Sequence, residues 1–156
     1  MTQSTATTLA IRPAGSLHRL PVWLVSALAG LAAAVTTELY GLVARSVGIP
    51  MYAGNVGADH AEPITVGMFA MGTVISTFWG TVLAVALARW ALRPARTYLR
   101  ATLALTLLSL VGPLAAGDTA WSTRLMLALA HLVAAALVIP AVTRRLESAP
   151  GRAGRG

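Results

Sequence analysis

Leu20-PVWLVSALAGLAAAVTTELYGLVA-Arg45 is the stretch on which the fold turns. Between Arg19 and Arg45 its only charged side chain is Glu38. A helix needs about 20 mostly apolar residues to cross a bilayer, so residues 21–44 read as a membrane span. Three further runs meet the same requirement, over residues 64–90, 98–116 and 121–143. The sequence therefore predicts an all-α, integral membrane, four-transmembrane-helix up-down bundle over residues 20–146. Residues 1–19 and 147–156 are polar or basic, Pro/Gly-punctuated and without a periodic apolar face. Both are expected to be disordered tails. The first apolar run outlasts the roughly 7–15-residue core of a signal peptide, so it is read as a retained helix.

Composition points the same way. Hydrophobic residues make up 56% of the chain and charged residues 11%, with mean hydropathy +0.72. A soluble domain carries about 25% charged residues, so this chain cannot build a water-soluble surface. Four spans, their loops and two tails use up the 156 residues and leave none for a separate soluble domain. The absence of Cys excludes disulfides, thiolate metal sites and thiol nucleophiles.

The formal charge is +7, and all 12 basic residues are Arg. Such a balance can mark a nucleic-acid binder, but these arginines flank the apolar runs. Arg12, Arg19, Arg89, Arg93, Arg96, Arg100, Arg144, Arg145, Arg152 and Arg155 fall on one side of the expected topology, and only Arg45 and Arg124 on the other. The Ala/Leu/Gly/Arg-rich, Lys-free vocabulary reads as bacterial, and the positive-inside rule places both termini and the 89–100 linker in the cytoplasm, as a multi-pass protein of the cell membrane. Nucleic acid is not an expected partner; the lipid bilayer is.

Small residues recur every four positions along two spans. Span two carries Gly72, Ser76, Gly80, Ala84 and Ala88, flanked by Thr73, Thr77 and Thr81; span one carries Ser26, Gly30 and Ala34 and then Glu38. Such ridges let helix backbones approach closely in lipid, and packing alone accounts for most of them. Met68, Phe69, Ile75, Phe78 and Leu83 are expected to face acyl chains. Trp23, Trp90, Trp121 and Tyr98 fall at span ends, as an aromatic belt would. Trp79 does not; it is read as facing lipid or a neighbouring helix.

A carboxyl group inside a span is costly and is a candidate functional group by default. Glu38 lies about 9 Å below the nearer interface at 1.5 Å per residue. His131 lies near the middle of span four. Adjacent first and fourth helices would let the two side chains converge as a carboxylate–imidazole pair. Arg124, two turns from His131, offers Glu38 a second partner, and Asp118 in the preceding turn could hold Arg124 instead. Against these stand plainer roles: His131 as a neutral interhelical hydrogen-bond donor, Arg45 and Arg124 as interfacial snorkelers, and seam threonines bonded to their own helix. Asp59, His60 and Glu62 are metal-ligand types crowded in one loop, with no second cluster to complete a shell. No phosphate-binding glycine loop, serine nucleophile elbow or zinc-protease helix is present, and no cofactor is expected.

Pro63-Ile64-Thr65-Val66-Gly67, Arg93-Pro94-Ala95-Arg96 and Leu127-Ala128-Leu129-Ala130-His131-Leu132-Val133 followed by Pro140 and Arg144-Arg145 give the chain a wider resemblance. From about Leu20 to Leu146 it resembles an uncharacterised actinobacterial family of small four-helix integral membrane proteins. That resemblance implies the fold and no activity. A carboxylate in the first span is also a feature of small multidrug-resistance exporters, whose short first loop is replaced here by nearly twenty residues.

Three functions are open at this point. The leading one is an intramembrane acid/base pocket for a lipid-soluble small molecule, with Glu38, His131, Arg124 and Asp118 as catalytic candidates for an isomerisation or cyclisation. Thr73, Thr77, Thr81 and Trp79 are its substrate-binding candidates. The second is a proton-coupled transporter or exporter subunit, working as a homo-oligomer because four helices rarely enclose a full pathway. The third is a non-catalytic accessory subunit.

Overall fold

The computed structural model describes residues 20–148. The tails expected to be disordered, residues 1–19 and most of 147–156, lie outside the described residues; Glu147 itself belongs to the last helix. The helices are α1 (Val22–Ser46), α2 (Met68–Trp90), α3 (Pro94–Ser109), α4 (Val111–Leu114), which continues α3 after a break, and α5 (Trp121–Glu147); β1 (Tyr52–Ala53) pairs antiparallel with β2 (Glu62–Pro63) in the first loop. Counting α3 and α4 as one broken span, four segments are long and apolar enough to cross a membrane. The molecule is an all-α, multi-pass four-helix bundle, as expected.

Local chemistry explains where each element stops. After α1, Gly48 takes φ +82. The Gly48 N–H donates to the Arg45 carbonyl and the Ile49 N–H to the Ala44 carbonyl, a Schellman ending that favours glycine because its αL residue carries no Cβ. α2 begins at Met68, four residues later than expected, because Glu62 and Pro63 are drawn into the hairpin and Ile64 N–H donates to the Met51 carbonyl. α3 begins at Pro94, whose fixed φ suits a first helical position. Pro113 cannot donate to the Ser109 carbonyl and its ring crowds it, so the span breaks at Leu110 before α4. Pro140, in contrast, is carried inside α5.

α1 packs most extensively, against α2 on one side and α5 on the other; α3 leans on α5 and touches α2 less. The α1–α2 seam is an antiparallel ladder. Thr81 Oγ1 lies 2.8 Å from Ser26 Oγ, Gly30 fits against Thr77, Thr37 and Thr73 hydroxyls are 2.9 Å apart, and Gly41 fits against the Phe69 ring. Interhelical hydroxyl bonds of this kind contribute about 0.6 kcal/mol each in a membrane protein.

This register corrects the expected faces of α2. The face toward α1 is Phe69, Thr73, Thr77 and Thr81, so Phe69 is buried and not lipid-facing. The glycine ridge is turned away: a Cβ on Gly72 would meet nothing within 4 Å. Tyr98 is likewise no belt residue. It is 1% exposed, in a cluster with Ala84, Ala95, Val142 and Leu146 at the arginine-bearing end. A second cluster, Ala44, Met51, Ile64, Phe69, Met126 and Ala130, closes the loop-bearing end. Trp23, Trp90 and Trp121 are exposed at helix ends.

Candidate functional site

Between the two packed ends lies a cavity of about 960 Å³, walled by α2, α3 and α5. It exists because the facing side chains are small: Gly72, Ser76 and Gly80 on α2 oppose Ala130, Ala134 and Ala135 on α5. The stretch of α5 that lines it, Leu127 to Ile139, is about 18 Å long at 1.5 Å per residue. Ala53, Gly54 and Asn55 with Glu62 and Pro63 form its wall at the loop end, and α1 contributes Thr37.

The hairpin is tied over that end by three contacts. Gly54 N–H donates to Thr119 Oγ1 (2.9 Å), Gly117 N–H donates to the Asn55 carbonyl (2.9 Å), and Thr123 Oγ1 donates to the Pro50 carbonyl (2.6 Å). The loop is thus bonded to the turn and first helical turn before and within α5.

His131 is on the cavity wall. Its Nδ1 lies 2.8 Å from the Leu127 carbonyl oxygen. A carbonyl only accepts, so Nδ1 carries the hydrogen, and in the neutral ring Nε2 is left as an acceptor. Among the described residues Nε2 has no hydrogen-bond partner.

Glu38 is not in this cavity. Its Oε1 accepts from Gly67 N–H (2.7 Å) and its Oε2 from Ala70 N–H (3.1 Å). The late start of α2 brings the bare N–H groups of its first turn level with Glu38. Gly67, the residue ahead of that helix, supplies no capping side chain. A carboxylate from α1 takes that place, where the unsatisfied donors and the helix dipole both favour negative charge. The expected Glu38–His131 pair is therefore not formed: among the described residues the one ion pair joins exposed His60 and Glu62 at 3.6 Å.

The other expected site residues separate too. Arg124 Nε donates to the Thr119 carbonyl (3.1 Å) and its Nη1 to the Leu114 carbonyl (3.3 Å), clamping the turn ahead of α5, with no bond to Glu38 or Asp118. Asp118 is exposed in that turn at φ +41. Thr73, Thr77 and Trp79 line the cavity, whereas Thr81 is engaged with Ser26 and the Thr77 carbonyl. Trp79 stands edge-on to Phe78, ring centroids 5.4 Å apart. Asp59 does not join His60 and Glu62, and among the described residues no group of three His, Cys, Asp or Glu could hold a metal.

Sequence reasoning passed over the α3 wall, where Thr102, Thr106 and Ser109 face the cavity. The available signal was a run of hydroxyl residues at helical spacing inside an apolar span. Ala134 and Ala135 gave no signal, since an alanine that leaves space looks the same as one that packs.

These features define a class: a multi-pass four-helix membrane protein with a cavity among its helices, open on one side and bearing a single, exposed imidazole. Within that class, the chain belongs to a family of unknown function, DUF6069, which matches residues 18–148. No curated protein and no solved structure matches the chain.

Proposed function

We propose that this protein binds a lipid-soluble small molecule in its intramembrane cavity, with His131 Nε2 as the basic contact. It would act in a bacterial cell membrane with both termini and the arginine-bearing end cytoplasmic. The observation that carries this reading is the cavity of about 960 Å³ with the unpartnered imidazole nitrogen in its wall. Small-molecule sites commonly enclose about 300–1,000 Å³ with mainly apolar walls and a few placed polar groups. The position of Glu38 narrows the reading to binding and carriage. An isomerase or cyclase would pair His131 with an acid, and the carboxylate expected in that role, Glu38, instead accepts from two backbone N–H groups of α2.

The test is native mass spectrometry of protein purified in mild detergent, wild type against Ala134→Trp. The indole would occupy the space between α2 and α5. Wild type is expected to retain a small lipophilic species and the variant to lose it. Equal retention by a correctly folded Ala134→Trp protein would overturn the reading.

A further inference from the structure

Four hydroxyls of the cavity wall, one on α2 and three on α3, already donate within their own helices. Ser76 Oγ donates to the Gly72 carbonyl (2.9 Å), Thr102 Oγ1 to the Tyr98 carbonyl (2.8 Å), Thr106 Oγ1 to the Thr102 carbonyl (2.8 Å) and Ser109 Oγ to the Thr106 carbonyl (2.7 Å). A hydroxyl has one hydrogen and two lone pairs, so each of these groups offers a ligand only an acceptor. His131 Nε2, on the half of the α5 wall nearer the loop end, does the same. A molecule that pairs with His131 Nε2 must bring the hydrogen.

Charge narrows the chemistry further. No Arg lines the cavity, and its one charged lining residue is Glu62, exposed at the hairpin end and 3.6 Å from His60. An anionic head would find no cation beside it, and an ammonium group at the depth of His131 no carboxylate, because Glu38 is committed to α2. An unpaired ion in an apolar interior carries a desolvation penalty far above that of a hydroxyl.

From this wall we infer that the ligand is an uncharged, elongated lipid alcohol or phenol whose O–H donates to His131 Nε2 near the middle of the bundle. This deepens the binding reading above and rests on it. It separates the cavity from a phospholipid site, which would need a cation for the phosphate.

Four probes of one chain length discriminate: farnesol, farnesyl methyl ether, farnesyl phosphate and farnesylamine, offered at equal concentration to the purified full-length protein and read by native mass spectrometry. Farnesol is expected to bind about three- to tenfold more tightly than its methyl ether, the range of one hydrogen bond, with the phosphate and the amine weaker than both. His131→Leu should bring the alcohol-to-ether ratio to about one while the ether still binds, which also shows that the variant is folded. His131→Gln, whose amide oxygen can accept, should restore part of the preference. Equal binding of farnesol and its ether by wild type, or tighter binding of the phosphate or the amine, overturns the assignment and leaves the cavity reading standing. Binding of none of the four removes both.

Discussion

Glu38 illustrates how a charged residue in an apolar span can be there for the backbone. Its two oxygens satisfy two of the N–H groups that the first turn of α2 leaves open. Removing them would leave one half-buried and one exposed donor without a protein partner, at about 1–3 kcal/mol for the half-buried one. Glu38→Leu is therefore expected to lower the midpoint of thermal unfolding in detergent. Glu38→Gln should fall between it and wild type, since one amide oxygen can still accept. Neither should alter the farnesol-to-ether ratio, because the carboxylate is outside the cavity. An unfolding midpoint unchanged in Glu38→Leu would refute the capping role. His131 is the complementary case: its Nδ1–H is used within its own helix turn, and that bond sets the tautomer that leaves Nε2 for a ligand.

At the scale of elements, two glycines of the same type carry opposite expectations. A Cβ on Gly41 would come within 2.7 Å of the Phe69 ring, so Gly41→Ala should force α1 and α2 apart at about 1–3 kcal/mol. Gly72 has open space around it, and Ala is favoured over Gly in a helix by about 0.5–1 kcal/mol. Gly72→Ala should thus hold or raise the unfolding midpoint while Gly41→Ala lowers it, a contrast readable in one set of melts. The four-residue ridge of α2 shows why the sequence alone misassigned these faces. Gly72-Ser76-Gly80 and Phe69-Thr73-Thr77 are both helical stripes, and spacing does not say which one meets the neighbour. The hairpin is a second element whose hold is specific. Thr119→Val removes the acceptor for Gly54 N–H, and loss of about 1 kcal/mol there should raise the rate of limited proteolysis within residues 51–63 several-fold, with the helices unaffected.

For the whole molecule, the distribution of arginines makes a prediction that a cysteine-free chain tests cleanly. Asp59→Cys lies on the exposed hairpin and Leu92→Cys in the exposed α2–α3 linker. A membrane-impermeant maleimide is expected to label Asp59→Cys in intact cells and Leu92→Cys only after lysis. The reverse pattern would invert the proposed orientation. The number of spans, their approximate limits and the bundle class were legible in the residues, because crossing a bilayer imposes a length and an apolarity that local sequence must satisfy alone. The stops at Gly48, Pro94 and Pro113 are local in origin, since a missing Cβ or a missing N–H acts within a few residues of itself. Yet the expected third span begins at 98 and runs through Pro113 to 116. The partner of Glu38, the buried face of α2 and the cavity were settled only in three dimensions. Each depends on the register between helices far apart in the chain, where Gly41 meets Phe69 and Thr37 meets Thr73. No spacing within a single helix encodes that register.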